Sequence, residues 1–210
     1  MTSNKTVMWG IVVAALFAGL GLWLGQRYFA PGYRAPQPEM AAMLLYPEPK
    51  PVAPFTLTRS DGTPYTDADL AGRWTVMFFG FTHCPDVCPT TLALWPQVEK
   101  ALEKHAPGAP VAFAFVSVDP ERDTPEKAGA YARYFSPRIV AATGDAASLE
   151  AMTRNLGVVY MKSGEGADYS VDHTAHLVVI GPDRTVRGII RPPLDPNRIA
   201  ADLATLAGGA

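Results

Sequence analysis

Apolar and polar positions divide the chain into three regions. From Val7 to Gly25, nineteen consecutive positions carry no charged or strongly polar side chain. As a helix rising about 1.5 Å per residue, this run would span roughly 28 Å, close to the hydrocarbon thickness of a bilayer. Trp9 near one end and Trp23 with Tyr28 near the other suit the two interfaces. A cleaved leader is the competing reading, but its apolar core is normally shorter. No good small-x-small cleavage site follows Gly25, and Gly19-x-Gly21 lies inside the run. A retained anchor over residues 1–29 is therefore expected. Residues 30–54 follow with Pro31, Pro36, Pro38, Pro47, Pro49, Pro51 and Pro54, which suit an extended, semi-rigid tether and not a helix.

From Phe55 onward, apolar runs alternate with amphipathic stretches, and residues 55–210 read as one globular domain. Phe55–Thr58 and Thr63–Thr66 flank Asp61-Gly62, a hairpin around a tight turn. Trp74 to Phe81 and Val111 to Val118 are uninterrupted apolar runs of buried-strand length. Between them Thr90 to Lys104 has helical spacing, with Pro96 expected to kink it. Thr124-Pro125-Glu126 supplies a cap and a first-turn proline for a helix to about Phe135, and Asp145 caps another that ends near Gly157. Ala175–Ile180 and Thr185–Ile190 flank Gly181-Pro182-Asp183-Arg184 as a second hairpin, and Asp195-Pro196 opens the last helix. The order β-β-β-α-β-α-α-β-β-α predicts an α/β sandwich with a central mixed sheet: parallel crossovers in the middle, an antiparallel hairpin at the end, and an N-terminal hairpin extension.

Composition narrows the setting. With 48% hydrophobic and 18% charged residues and a formal net charge of −2, nothing points to a nucleic-acid partner. Lys5 and the α-amino group precede the apolar run while Arg27 and Arg34 follow it, so charge counting does not orient it. The segment before the run is too short to be a domain, and an exported domain suits an oxidisable cysteine pair. A single-pass protein of the bacterial inner membrane with its domain on the periplasmic side is expected. No Arg-rich, Ser-rich leader suggests mitochondrial import.

The chemistry concentrates in Phe81-Thr82-His83-Cys84-Pro85-Asp86-Val87-Cys88-Pro89, which holds the only two cysteines. A strand leads in and a helix leaves, placing both sulfurs at a helix N-terminus where thiolate is favoured. Four residues make about one turn, so the sulfurs can share a disulfide or a metal ion. Two small buried hydrophobes are the plain alternative, against which Pro85 and Pro89 argue for a shaped turn. A cysteine pair closing a central strand is the thioredoxin-like arrangement. The C-x-x-x-C spacing and the lack of a proline directly before Leu177 depart from ordinary thioredoxins. Met40 and Met43 read as packing residues, not copper thioethers. Among the histidines, His83 points away from its neighbour Cys84 and reads as a supporting residue. His105 ends a helix at the surface, and His176 enters a strand as a core residue. His173, in the loop before that strand, is not distinguished by its own context. Asp86 and Asp172 are either carboxylates that orient ligands or dock a partner, or solvated loop acids; Asp119 helps a turn and is not a ligand.

Three segments in order, Phe81 to Pro89, Val116-Ser117-Val118-Asp119-Pro120-Glu121-Arg122-Asp123-Thr124-Pro125 and Tyr169-x-Val171-Asp172-His173-Thr174, resemble the Sco/SenC family from about Pro54 to Leu206. The resemblance implies a thioredoxin-like, membrane-anchored copper metallochaperone for the dicopper centre of cytochrome c oxidase. Cys84, Cys88 and His173 would be its metal ligands, for both Cu(I) and Cu(II). Its partners would be the copper-bearing subunit of that oxidase and a further copper chaperone as donor. Two thiolates and an imidazole form a soft set suited to that metal, whereas structural zinc wants a fourth ligand. Oxidation of Cys84 to Cys88 would remove both sulfur ligands. The alternative is a membrane-tethered thiol–disulfide reductase using Cys84 and Cys88 as a redox-active pair. A peroxiredoxin-like peroxidase fits less well because it has no need of His173.

Overall fold

The computed structural model describes residues 3–28, 38–164, 166 and 169–208. They fall into two units, residues 1–38 and 39–210. Among the described residues, the first holds a single helix, α1 (Ser3–Tyr28). Its run Val7–Gly25 is long and apolar enough to cross a membrane. Val7, Trp9, Leu16, Phe17, Leu22 and Trp23 are all exposed, on every side of the helix. A helix apolar all round has no polar face to turn to water, which is the pattern of a lipid-facing span. Residues 29–37, with Pro31, Arg34 and Pro36 of the expected tether, lie outside the described residues, as does the side chain of Tyr28.

The second unit is built on an eight-stranded mixed sheet in the order β1-β10-β9-β4-β5-β6-β2-β3. At its centre, β4 (Trp74–Gly80) is buried at every position. It runs parallel to β5 (Val111–Ser117) and antiparallel to β9 (Leu177–Ile180). Strands covered on both faces read as continuous apolar runs, which is why these were legible. The two expected hairpins are present: β2 (Thr56–Arg59) with β3 (Pro64–Thr66) at one edge, and β9 with β10 (Thr185–Ile190) near the other. Helix α4 (Pro125–Phe135) starts where Thr124 Oγ1 accepts the Lys127 N–H. Helix α5 (Ala146–Leu156) is capped by Asp145 and ends on Gly157 with φ of 72°. Helix α6 (Pro196–Gly208) closes the chain and packs against α3 (Trp95–His105).

Four features differ from the reading of the sequence. The extended segment expected as a free tether is, from Met43 to Pro51, an edge strand, β1, antiparallel to β10. Its prolines are tolerated there because an edge strand leaves half its N–H groups unpaired. The register also slips between Leu45 and Lys50, across Pro47 and Pro49. The carboxylate of the buried Asp202 in α6 fixes its start, accepting the N–H groups of Ala41, Ala42 and Met43 at 2.8–2.9 Å. Second, Pro96 does not kink one helix: α2 (Val87–Leu92) stops and α3 begins, with Pro96 in the first turn where its missing N–H is harmless. Third, a short parallel strand, β6 (Ile139–Thr143), lies between β5 and β2. Fourth, β7 (Tyr160–Ser163) and β8 (Ser170–His173) form a separate two-stranded ribbon, so His173 ends a strand instead of lying in a loop. Met43 is buried and Met40 packs on the core, as their apolar reading expects.

Candidate metal centre

β4 delivers the chain to the site. Beyond Gly80, Phe81 is buried and its carbonyl accepts the Cys84 N–H at 3.3 Å, closing a turn that presents the first sulfur. α2 then carries Cys88, whose N–H donates to Cys84 Sγ at 3.4 Å. Cys88 is completely buried and depends on Gly80 for room. A Cβ on Gly80 would stand 2.6 Å from Cys88 Sγ. Both cysteines are free thiols.

The ribbon supplies the third donor. His173 Nε2 lies 3.4 Å from Cys88 Sγ, and Nδ1 faces the Thr174 carbonyl at 3.2 Å. Assigning the ring proton to Nδ1, as that carbonyl requires, leaves the Nε2 lone pair toward the sulfurs. Phe78 and Phe81 present their rings edge-on to the imidazole, with centroids 5.8 and 6.0 Å away, and fix its plane. Ligand atoms of Cys84, Cys88 and His173 all lie within 4.8 Å of one another, close enough to share one ion.

Electrostatics modifies one expectation. Burial, ahead of the neighbouring Cys84 and Asp123, pushes the Cys88 thiol far above its usual range. The short α2 does not make it a thiolate: desolvation outweighs six residues of helix dipole. Burial also lowers the pKa of His173, with Thr174 and Asp172 opposing it, so the imidazole is neutral near pH 7. A neutral imidazole is the form that binds metal.

The remaining polar residues divide clearly. Asp123 is fully buried and accepts from Thr82 N at 2.8 Å, Thr82 Oγ1 at 2.5 Å and Ser117 Oγ at 2.5 Å. Asp119, also buried, accepts from Tyr169 Oη at 2.5 Å and from Arg122 Nε at 2.6 Å. Burial and then Asp119 push the Tyr169 phenol up to about 12, so it stays a donor. His83 Nδ1 lies 3.6 Å from Asp123 Oδ1, and His83, Asp119 and Asp123 form a second group within ligand distance. Its carboxylates are already occupied by protein donors, and His83 is an exposed neighbour of the sulfur turn. His105 is exposed at the end of α3. His176 is half-buried with its pKa lowered, first by burial and then by Arg191. Its Nε2 has no partner, so the satisfied core histidine is only partly realised. Asp86 and Asp172 are exposed, and the Asp86 carboxylate accepts from Thr90 Oγ1 at 3.4 Å. The sequence reading gave no role to Gly80, Arg122, Asp123 or Tyr169, although the last three stand in the motif segments.

Known proteins resemble this chain. The family model described as SCO1/SenC matches residues 46–208. The chain belongs to the SCO1/SenC family. Among SCO1/SenC relatives, Protein SCO1 homolog 1, mitochondrial, of Arabidopsis thaliana is 40% identical over 62% of this chain, and Protein SCO1 homolog, mitochondrial, of Mus musculus is 35% identical over 84%. The matches span only 39% and 63% of those two proteins' own lengths. The structure of Bradyrhizobium japonicum ScoI with copper bound superposes with a TM-score of 0.66 at 38% identity, covering 74% of this chain and 99% of that one. The domain has the thioredoxin-like fold of Sco structures, with Cys84 in the turn between β4 and α2 and Cys88 in α2.

Proposed function

We propose that the protein is a membrane-anchored copper metallochaperone, binding copper as cargo through Cys84, Cys88 and His173 for assembly of the dicopper centre of cytochrome c oxidase. The observation that carries this reading is the convergence of two sulfurs and one imidazole within 4.8 Å, from segments 85 residues apart in the chain. SCO1/SenC membership and the copper-bound B. japonicum relative support it. Two sulfurs suit Cu(I), and the nitrogen donor extends the set to Cu(II). Cys88 must give up its proton on binding, whereas His173 is already neutral. Oxidation of the pair to a disulfide removes both sulfur donors, so loading follows redox state. The apolar α1 supports a single-pass anchor, which we place in a bacterial inner membrane with the domain on the periplasmic side. Copper would come from a further chaperone and pass to the copper-bearing oxidase subunit.

The test uses the full chain in detergent, reduced anaerobically. One copper per chain should bind, and none after oxidation to the intramolecular disulfide. His173→Ala should keep Cu(I) but change the thiolate-to-copper absorption and the paramagnetic resonance spectrum of Cu(II). Cys84→Ser and Cys88→Ser should lose tight binding of both ions. An unchanged Cu(II) spectrum in His173→Ala, with fast copper-free turnover of a model disulfide, would favour a tethered thiol–disulfide reductase instead.

A further inference from the structure

One turn between β5 and α4 holds both segments that carry the donors. It is closed by the N–H groups of Arg122 and Asp123, which donate to the Asp119 carbonyl at 3.2 and 2.9 Å. On one side, Asp123 grips Thr82 through two hydrogen bonds, two residues before Cys84. On the other, Asp119 accepts the Tyr169 hydroxyl, and Arg122 Nη1 donates to the Tyr169 carbonyl at 2.8 Å. The Arg122 guanidinium also lies over the Tyr169 ring, 3.6 Å from its centroid. Tyr169 immediately precedes β8, four residues before His173. Lys162 of β7 reaches the same turn, donating to Glu121 at 2.7 Å.

The ribbon β7–β8 hydrogen-bonds to no strand of the main sheet among the described residues. Its placement therefore rests on packing and on ties such as these. Buried ion pairs add little net stability compared with apolar packing, so their cost is better explained by geometry they define. Arg122 extends the connection to the imidazole, because its guanidinium faces the Phe81 ring at 5.7 Å and Phe81 meets His173 edge-on.

We propose that Asp119 and Arg122 are positioning residues that hold the His173 imidazole, through Tyr169, against the sulfur pair, and thereby set how well the site accepts Cu(II) relative to Cu(I). The inference rests on the copper reading above. It divides the labour of the turn: Asp123 holds the sulfur segment, which is sufficient for Cu(I), while Asp119 and Arg122 hold the nitrogen donor that Cu(II) requires.

Tyr169→Phe removes only the hydroxyl given to Asp119, and Arg122→Lys removes the fork while keeping the charge. In the full chain in detergent, each should leave Cu(I) affinity little changed and weaken Cu(II) binding about tenfold or more. Each should also move the Cu(II) spectrum toward that of His173→Ala. Combining Tyr169→Phe with His173→Ala should add no further Cu(II) loss, because both act on one donor. Equal weakening of both ions, additive losses, or a lowered Tm with an unchanged Cu(II) spectrum would each overturn the proposal. If His173→Ala itself matches the unsubstituted protein, the copper-ligand reading has failed and the proposal falls with it. If His173→Ala differs while Tyr169→Phe and Arg122→Lys do not, only the positioning role is lost.

Discussion

Replacing Gly80 with alanine adds one methyl group to the wall around the buried sulfur. Gly80 does not have a left-handed backbone, so the effect is one of space. The new carbon would stand 2.6 Å from Cys88 Sγ, 3.2 Å from a Phe78 ring carbon and 3.3 Å from a Phe115 ring carbon. Ordinary contacts lie at about 3.5–4.0 Å, so the sulfur must retreat by about 1 Å and the rings by a few tenths. Cys88 is completely buried and its rotamer wells are discrete, so the retreat requires α2 to shift or χ1 to leave its well. Overpacking of this kind costs about 1–3 kcal/mol. At about 2–4 °C per kcal/mol for a chain of this size, the domain's thermal midpoint should fall measurably. Copper should suffer more, because metal–ligand distances tolerate only about 0.2 Å of error. Thermal unfolding of the reduced full chain in detergent gives the first quantity, and competition with a chromogenic Cu(I) chelator gives the second. Gly80→Ala with unchanged Tm and unchanged Cu(I) affinity would refute the packing of Cys88 against Gly80 and the role drawn from it.

Asp202→Ala should destabilise the domain by about 2–4 kcal/mol, since three N–H groups lose one charged acceptor and the Met43 N–H is left buried. Hydrogen exchange at Met43–Leu45 should rise more than at β4; uniform exchange would refute the local tie. Both His173 and His176 have pKa values lowered below the ordinary 6.5 by burial. The unfolded chain therefore takes up protons first, and their contribution to stability is full above that pH and is lost as pH falls through the folded values. The apo protein's Tm should drop between about pH 7 and 5, less so in His173→Ala, and a flat Tm there would contradict the burial of these rings. The full chain should resist carbonate extraction from membranes, whereas a chain beginning at Glu39 should be soluble with the domain's Tm retained; release of the full chain by carbonate would remove α1 as a span.

Legibility in the sequence followed burial on both faces. β4 and β5 announced themselves as apolar runs, and Asp145, Thr124 and the Asp61-Gly62 turn marked their elements through local chemistry that needs no distant partner. β1 was hidden because its pairing depends on β10, far along the chain, while its own prolines describe only an extended backbone. The ribbon was hidden for a similar reason: Tyr160–Ser163 is mostly exposed, and its strand character comes from cross-strand pairing with Ser170–His173. At the site, the two cysteines were evident from spacing, but His173, read as an undistinguished loop residue, was singled out only by its motif. What places it, Nε2 toward Cys88 and a carbonyl on Nδ1, is tertiary geometry. Asp119 looked like a turn acid and Asp123 drew no reading, because sequence does not show that their partners, Tyr169 and Thr82, arrive from elsewhere.

Synthesis from the N-terminus gives the edge strand β1 a particular timing. Its backbone partners are residues 185–190, and the carboxylate that fixes its first N–H groups lies 159–161 residues further on. Contacts of such long sequence separation form late and must wait for the distant segment to emerge. The strand that comes first after α1 in the sequence is thus the last to be built into the sheet, and a chain leaving a ribosome carries it unpaired until then. Leu44 and Leu45 would make that interval hazardous for a plain strand. Pro47, Pro49 and Pro51 withhold N–H groups from neighbouring chains, so the residues that disguise β1 in the sequence also guard it against aggregation during the wait.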